Sequence, residues 1–166
     1  MSVPLTTLFV YGTLKEGEIN HGLVEPYARS IGPGWIPGRL YDVGDFPALA
    51  EGEDRVQGEI VRLDPSDFMR VIPVIDRLEG CIPGDEAGSL YTRRVVRVTV
   101  GDGTQQPAYA YYYNAAHPSL LPLHRLKYLV MGVWSRAMAD PAPSGNERVD
   151  AYRRTVRTFH QNRTEM

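Results

Sequence analysis

Between Ser30 and Ala50 the chain is broken at Gly32, Pro33, Gly34, Pro37, Gly38, Gly44 and Pro47. A helix interior tolerates neither residue well, because proline removes a donor and clashes with the preceding turn and glycine loses the most backbone entropy on ordering. The short apolar pieces between them, Trp35-Ile36 and Leu40-Tyr41, fit bent strands and turns. This stretch commits the first third of the chain to β-structure.

The flanking segments agree. Thr7-Leu8-Phe9-Val10-Tyr11 is a β-branched and aromatic run closed by Gly12-Thr13, a strand ending in a glycine loop. From Asn20 to Arg29 a short capped helix is predicted, carrying Leu23 and Tyr27 as an i,i+4 apolar pair. Val56 to Leu63 alternates as a strand, and Asp64-Pro65-Ser66 offers a helix start with Pro65 where its missing N–H costs nothing. Phe68, Val71, Ile72, Ile75 and Leu78 then mark one helix face running to Glu79-Gly80, with Pro73 predicted to kink or split it.

Tyr91 to Val100 is the clearest strand, with a mostly apolar and a mostly basic face. Gly101-Asp102-Gly103 turns it and Ala108 to Tyr113 returns, forming a hairpin. Beyond Asn114 a proline-broken stretch leads to a predicted helix from Leu123 to Met138. The order of elements predicts an α+β fold, a small β-barrel with flanking helices; a doubly wound sheet needs a regular strand–helix alternation that is absent.

The length of 166 residues suits one domain. It is assigned to residues 1–139, leaving 140–166 as a Pro/Gly-containing linker and a helical tail with Val149, Tyr152, Val156 and Phe159 at heptad-like spacing. That stripe predicts a monomer or a weak homodimer formed through the tail. A formal net charge of -2 excludes charge-driven nucleic-acid binding, which needs a basic surplus. The tail arginines are balanced by Glu147, Asp150 and Glu165.

Cys81, the single cysteine, cannot form an internal disulfide and has no evident activating base. His117 and His124 lack a third ligand, so no metal is expected. The first residues lack a secretory signal pattern, and the longest apolar run, Tyr128 to Trp134, is too short to span a bilayer. A soluble, cytoplasmic protein without a membrane partner is expected.

Two places suggest chemistry. At Tyr11-Gly12-Thr13-Leu14 a strand ends at a glycine, where backbone N–H groups can point into a cavity and hold a carboxylate or a developing oxyanion; an ordinary strand-to-loop turn explains the same four residues. Glu79 ends the apolar helix face, where the helix dipole disfavours a carboxylate, and apolar neighbours can raise its pKa toward a proton-transfer role. A solvated last-turn residue is the bland alternative. Asp76, one turn earlier, either shares the face of Glu79 or, as the blander expectation, is a surface acid. Tyr91 and Arg93 share one strand face, and Tyr111-Tyr112-Tyr113 suits either base stacking or a barrel strand.

In this order the pieces resemble the gamma-glutamylcyclotransferase-like superfamily. The resemblance rests on Phe9-Val10-Tyr11-Gly12-Thr13-Leu14 with Gly17 and Asn20, Val56-Gln57-Gly58-Glu59-Ile60, Ile75-Asp76-Arg77-Leu78-Glu79-Gly80, Tyr91-Thr92-Arg93 and the Tyr-rich strand. It is most similar to the subgroup of gamma-glutamylamine and butirosin-pathway cyclotransferases. The resemblance implies a small mixed β-barrel and no cofactor. Its substrate would be a small gamma-glutamyl amide that closes on itself to release 5-oxoproline and a free amine. It further implies Glu79 as catalytic acid/base, a substrate carboxylate held by Tyr11, Gly12, Thr13 and Leu14, and Tyr91 and Arg93 as substrate-binding neighbours. The segment Cys81 to Leu90 is longer than in the simplest family members and would act as a lid or set the accepted amine. A ligand-binding module without turnover on the same barrel is the alternative.

Overall fold

The computed structural model describes residues 4–135. Along the described residues run β1 (Thr7–Val10), β2 (Ala28–Asp42), β3 (Pro47–Leu63), α1 (Pro65–Glu79), β4 (Tyr91–Val100), β5 (Gln105–Tyr113) and the two-residue β6 (Lys127–Tyr128). The sheet order is β3-β1-β5-β4-β2-β6, and β2 also pairs with β3, so the first five strands close into a ring. β1 runs parallel to β5 and every other pair is antiparallel. The expected small mixed barrel is therefore present.

The glycine- and proline-rich stretch forms a longer ribbon than the sequence predicts. β2 and β3 pair from Ala28↔Leu63 to Asp42↔Pro47, with register shifts at Ala28/Ser30 and Gly38/Arg39. Such irregularities bend and twist a strand, which is what two long strands need in order to curl into a closed barrel.

Strand alternation sorts side chains into two cores. Phe9, Ile36, Leu49, Ile60, Val98 and Ala110 come from all five ring strands and fill the barrel, with Trp134 among them. Their neighbours along the chain, including Leu8, Val10, Val61 and Tyr111, point the other way and pack under α1 against Phe68, Val71, Ile72, Ile75 and Leu78. The Tyr-rich strand follows the same rule, with Tyr112 inside the barrel and Tyr111 and Tyr113 outside it.

Asp64 caps α1, its Oδ1 accepting the Ser66 N–H at 3.0 Å, and Pro65 stands in the first turn as expected. Pro73 neither kinks nor splits the helix, which is continuous from Pro65 to Glu79. Pro73 and Met69 both lie on the exposed face, so the Met69 carbonyl that proline leaves without an intrahelical donor faces water while the buried face stays packed.

Two other expectations are corrected. From Asn20 to Arg29 there is no α-helix but two 3-10 turns, His21–Leu23 and Glu25–Tyr27, with Pro26 between the apolar pair. The helix expected from Leu123 is a 3-10 turn (Leu123–Arg125) followed by β6 on β2, and no helix follows up to residue 135. Leu129 and Trp134 are both buried in the barrel core, and the Leu129 N–H bonds to the Leu40 carbonyl at 2.8 Å. Docking on the barrel overrides the local helical pattern. The rest of that expected helix, the linker and the tail stripe lie outside the described residues. Among the described residues no helix is long and apolar enough to cross a membrane.

Candidate active site

At one end of the seam between barrel and helix lies a small cavity that opens to solvent. Tyr11, Gly12, Thr13 and Leu14 line it after β1, Phe46 and Pro47 at the start of β3, Leu78 and Glu79 at the end of α1, and Leu90, Tyr91 and Tyr111 on the β4–β5 side. The structure thus brings together six of the seven residues singled out by sequence. The seventh, Arg93, does not line the cavity.

The Tyr11–Leu14 loop is held from behind. Its carbonyls are taken by the protein: Gly12 by the Lys15 N–H at 3.1 Å, Thr13 by the Asn20 N–H at 2.8 Å, and Leu14 by the His21 ring Nδ1 at 2.9 Å. Asn20 also donates its amide to the Thr13 hydroxyl at 3.1 Å, so it braces this loop and caps no helix. Among the described residues, no protein acceptor is found for the N–H groups of Gly12, Thr13 and Leu14. Backbone donors left over at a cavity wall suit an anionic ligand group.

Gly12 is required by space, because a Cβ there would lie 2.6 Å from the Pro47 ring. Behind the loop, Trp134 donates its indole N–H to buried Asp42 at 3.0 Å, and Lys15 Nζ donates to the Trp134 carbonyl at 2.6 Å. Burial pushes the Lys15 ammonium below the ordinary lysine pKa.

Glu79 is half-buried at the end of α1. Gly80 follows in the left-handed region at φ 65°, and its N–H bonds back to the Arg77 carbonyl at 3.3 Å. The chain therefore leaves the helix sharply, and the next N–H, of Cys81, bonds to the Asp76 carbonyl at 2.8 Å. Burial raises the Cys81 thiol pKa, which fits an inert cysteine.

The segment to Leu90 is braced internally. Ser89 Oγ accepts the Ile82 N–H at 2.9 Å and donates to the Asp85 carbonyl at 2.7 Å, while Asn114 donates to the Glu86 and Ser89 carbonyls. The segment's last residue, Leu90, lines the cavity.

The tyrosine hydroxyls around the cavity are anchored. Tyr91 donates to the Pro47 carbonyl at 2.7 Å, Tyr11 to the Tyr111 carbonyl, and Tyr111 to Asp76 Oδ1 at 2.6 Å. Asp76 is thus no surface acid: it is 4% exposed and lies 3.3 Å from Arg93 Nε. Burial raises its pKa, opposed by the Tyr111 hydrogen bond and the Arg93 charge. The Tyr111 hydroxyl is held protonated by burial first, then by the charge of Asp76. Sequence reading missed Asp76, Tyr111, His21 and Trp134. For Asp76 a signal existed in its position directly after Ile75 on the buried helix face; Trp134 carried none beyond its size.

Residues 8–136 match the sequence model of the family described as gamma-glutamyl cyclotransferase, AIG2-like. A putative gamma-glutamylcyclotransferase of Vibrio cholerae is 35% identical over 77 residues, 40% of this chain and 64% of that one, so the chain spans a little under two thirds of that relative. The gamma-L-glutamyl-butirosin B gamma-glutamyl cyclotransferase of Niallia circulans is 32% identical over 111 residues, 66% of this chain and 68% of that one. A gamma-glutamylaminecyclotransferase of Rattus norvegicus is 29% identical over 140 residues, 71% of this chain and 86% of that one. Among solved structures, an AIG2-like protein of Mus musculus shares the fold with a TM-score of 0.56 at 21% identity, covering 86% of this chain and 94% of that one.

Proposed function

The chain belongs to the gamma-glutamyl cyclotransferase, AIG2-like family, and from that premise we propose that it converts a gamma-glutamyl amide into 5-oxoproline and a free amine. The observation that carries this reading is the pairing, in one cavity, of leftover backbone N–H groups at Gly12–Leu14 with the half-buried carboxylate of Glu79. The first suits the α-carboxylate of a glutamyl group, and the second can take and return a proton.

Glu79 removes a proton from the substrate α-ammonium, and the freed amine attacks the γ-carbonyl carbon. A C–N bond closes the five-membered ring while the original amide C–N bond breaks. Two protons leave the α-nitrogen and two arrive at the departing nitrogen, one carried by Glu79 and one exchanged with solvent, so the amine leaves as its ammonium form. The attack is intramolecular, and holding the chain in attack geometry supplies much of the rate. Tyr91, anchored on Pro47, shapes the wall beside Glu79. The reaction needs no cofactor, and the setting proposed for it is the cytoplasm.

The test is 5-oxoproline release from gamma-glutamyl amides of alanine, ε-lysine, a polyamine and an aminoglycoside. The Niallia circulans and Rattus norvegicus relatives are named for different substrates, a gamma-L-glutamyl-butirosin B and a gamma-glutamylamine, which is why the panel is broad. Release by the wild type, reduced about 10²–10⁴-fold in Glu79→Gln with the fold intact, is the expected result. Binding of the amides with no release by the wild type would make the barrel a ligand-binding module.

A further inference from the structure

Asp76 and Arg93 stand just outside the cavity, yet both are tied to its wall. Arg93 and Tyr111 are directly opposed across β4 and β5, so their side chains project from the same face of the sheet. Both reach one carboxylate oxygen, Asp76 Oδ1, at 3.3 Å and 2.6 Å. Tyr111 in turn accepts the Tyr11 hydroxyl on its carbonyl, and Tyr11 opens the substrate loop. On the helix side, the Asp76 carbonyl receives the Cys81 N–H that closes the turn carrying Glu79.

Farther along the same face, the Arg93 guanidinium lies 5.0 Å from the Tyr109 ring, which stacks on Phe68 of α1 at 5.9 Å. A buried carboxylate with a cation on one side and a hydroxyl on the other is more than the packing of α1 requires. Apolar residues of similar volume often serve stability as well or better.

We propose that Asp76, neutralised by Arg93, is the positioning residue of the site: it locks the last turn of α1 to Tyr111 and so fixes Glu79 and the Tyr11 loop relative to one another. The proposal rests on the cyclotransferase reading above. It gives Arg93 a part played through Asp76, with no direct contact to substrate. Misplacing a reacting group by about 1 Å can cost on the order of 10² in rate, so the cost of losing the lock falls on kcat.

Among the charged and titratable groups near Glu79 are Asp76 on its own helix, Cys81 just after it, Tyr111 from β5 and, along the cavity wall, Tyr91 from β4 and Tyr11 from β1, with Arg93 3.3 Å from Asp76. Removing the Asp76 charge leaves the Arg93 cation uncompensated among them. A nearby cation favours ionised Glu79 and lowers its pKa.

The experiment compares wild type, Asp76→Asn, Tyr111→Phe, their double variant and Glu79→Gln, each with its thermal midpoint, kcat, KM and pH–rate profile on the best amide of the panel. Asp76→Asn is expected to lower kcat about 10- to 100-fold with KM within about threefold. Its acidic limb is expected to move to lower pH, and the double variant to lose much less than the product of the two single losses.

If Asp76→Asn folds and keeps wild-type kcat and acidic limb while Glu79→Gln is inactive, the positioning role is wrong and the cyclotransferase reading stands. Should Asp76→Asn lose its fold, Tyr111→Phe decides, because it deletes only a hydroxyl: unchanged kcat there overturns the lock. Full activity in Glu79→Gln would overturn the earlier reading itself.

Discussion

The two cores use the same strands to opposite ends. Inside the barrel, Phe9, Ala108 and Ala110 meet Ile60, Val98 and Trp134 in a packed apolar cluster. One residue along each strand, the layer beneath α1 mixes Leu8, Val10 and Ile75 with tyrosine hydroxyls, Asp76 and the cavity. The barrel interior is mainly apolar, its polar atoms being those of Tyr11, Tyr112 and the Trp134 indole, whereas the outer layer also holds a buried carboxylate, and each such group needs a partner. Alternation in β1 and β5 thus sends most of the barrel packing to one side and Asp76 with most of the cavity lining to the other, Phe9 and Tyr11 reaching the cavity from the barrel cluster.

If that division of labour holds, damage to the two layers has different signatures. The largest effect is catalytic and outer: Glu79→Gln loses about 10²–10⁴ in turnover while its thermal midpoint stays near wild type, checked by parallel assay and calorimetry. Next, Trp134→Ala in the barrel is expected to cost about 3–5 kcal/mol of stability, read by denaturant unfolding, and to lower activity only as far as the fold is lost. Its indole N–H also leaves buried Asp42 short of a donor, which adds to the cost.

Gly12→Ala sits where the layers touch. The added methyl would meet the Pro47 ring at 2.6 Å, and overpacking of that kind costs about 1–3 kcal/mol. A raised KM with a smaller loss of kcat is expected, because the loop proposed to take the substrate carboxylate must shift. Equal effects on stability from Trp134→Ala and Glu79→Gln would break the comparison.

The smallest effect lies far from both. Hydrogen bonds from Ser66, its hydroxyl first and its N–H second, hold the Asp64 carboxyl below the usual carboxylate range, with Arg29 nearby as a weaker cause. A depressed folded pKa gives stability that is present above the unfolded value of about 3.9 and is lost as pH falls through the folded value. Asp64→Ala should therefore lower the thermal midpoint slightly at neutral pH, and the gap to wild type should close at low pH.

Much of this fold was legible because its signals are local. The alternation of Tyr91–Val100, the start at Asp64-Pro65 and the stop at Gly80 each follow from neighbouring residues, and the structure places β4 and α1 accordingly. The segment after Asn114 was misread because its apolar residues serve the barrel, with Leu129 bonded to Leu40 and Trp134 to Asp42. Those contacts are invisible at short range. Asp76 was misjudged for a related reason: a carboxylate is expected in water unless a partner is known, and its partners Arg93 and Tyr111 lie on two other elements. The meeting of the Tyr11–Leu14 loop with Glu79 followed from family resemblance, since neither segment alone specifies the other.

In the proposed reaction the seam cavity holds the glutamyl end of the substrate between the Gly12–Leu14 N–H groups and Glu79. A crystal structure of Glu79→Gln soaked with 5-oxoproline tests it most directly. The ring carboxylate is expected on the N–H groups of Gly12–Leu14, with the ring nitrogen or carbonyl within hydrogen-bond reach of the residue 79 side chain. Binding in the separate depression lined by Trp35, Arg55, Gln57 and Thr99, with the seam cavity empty, would contradict it.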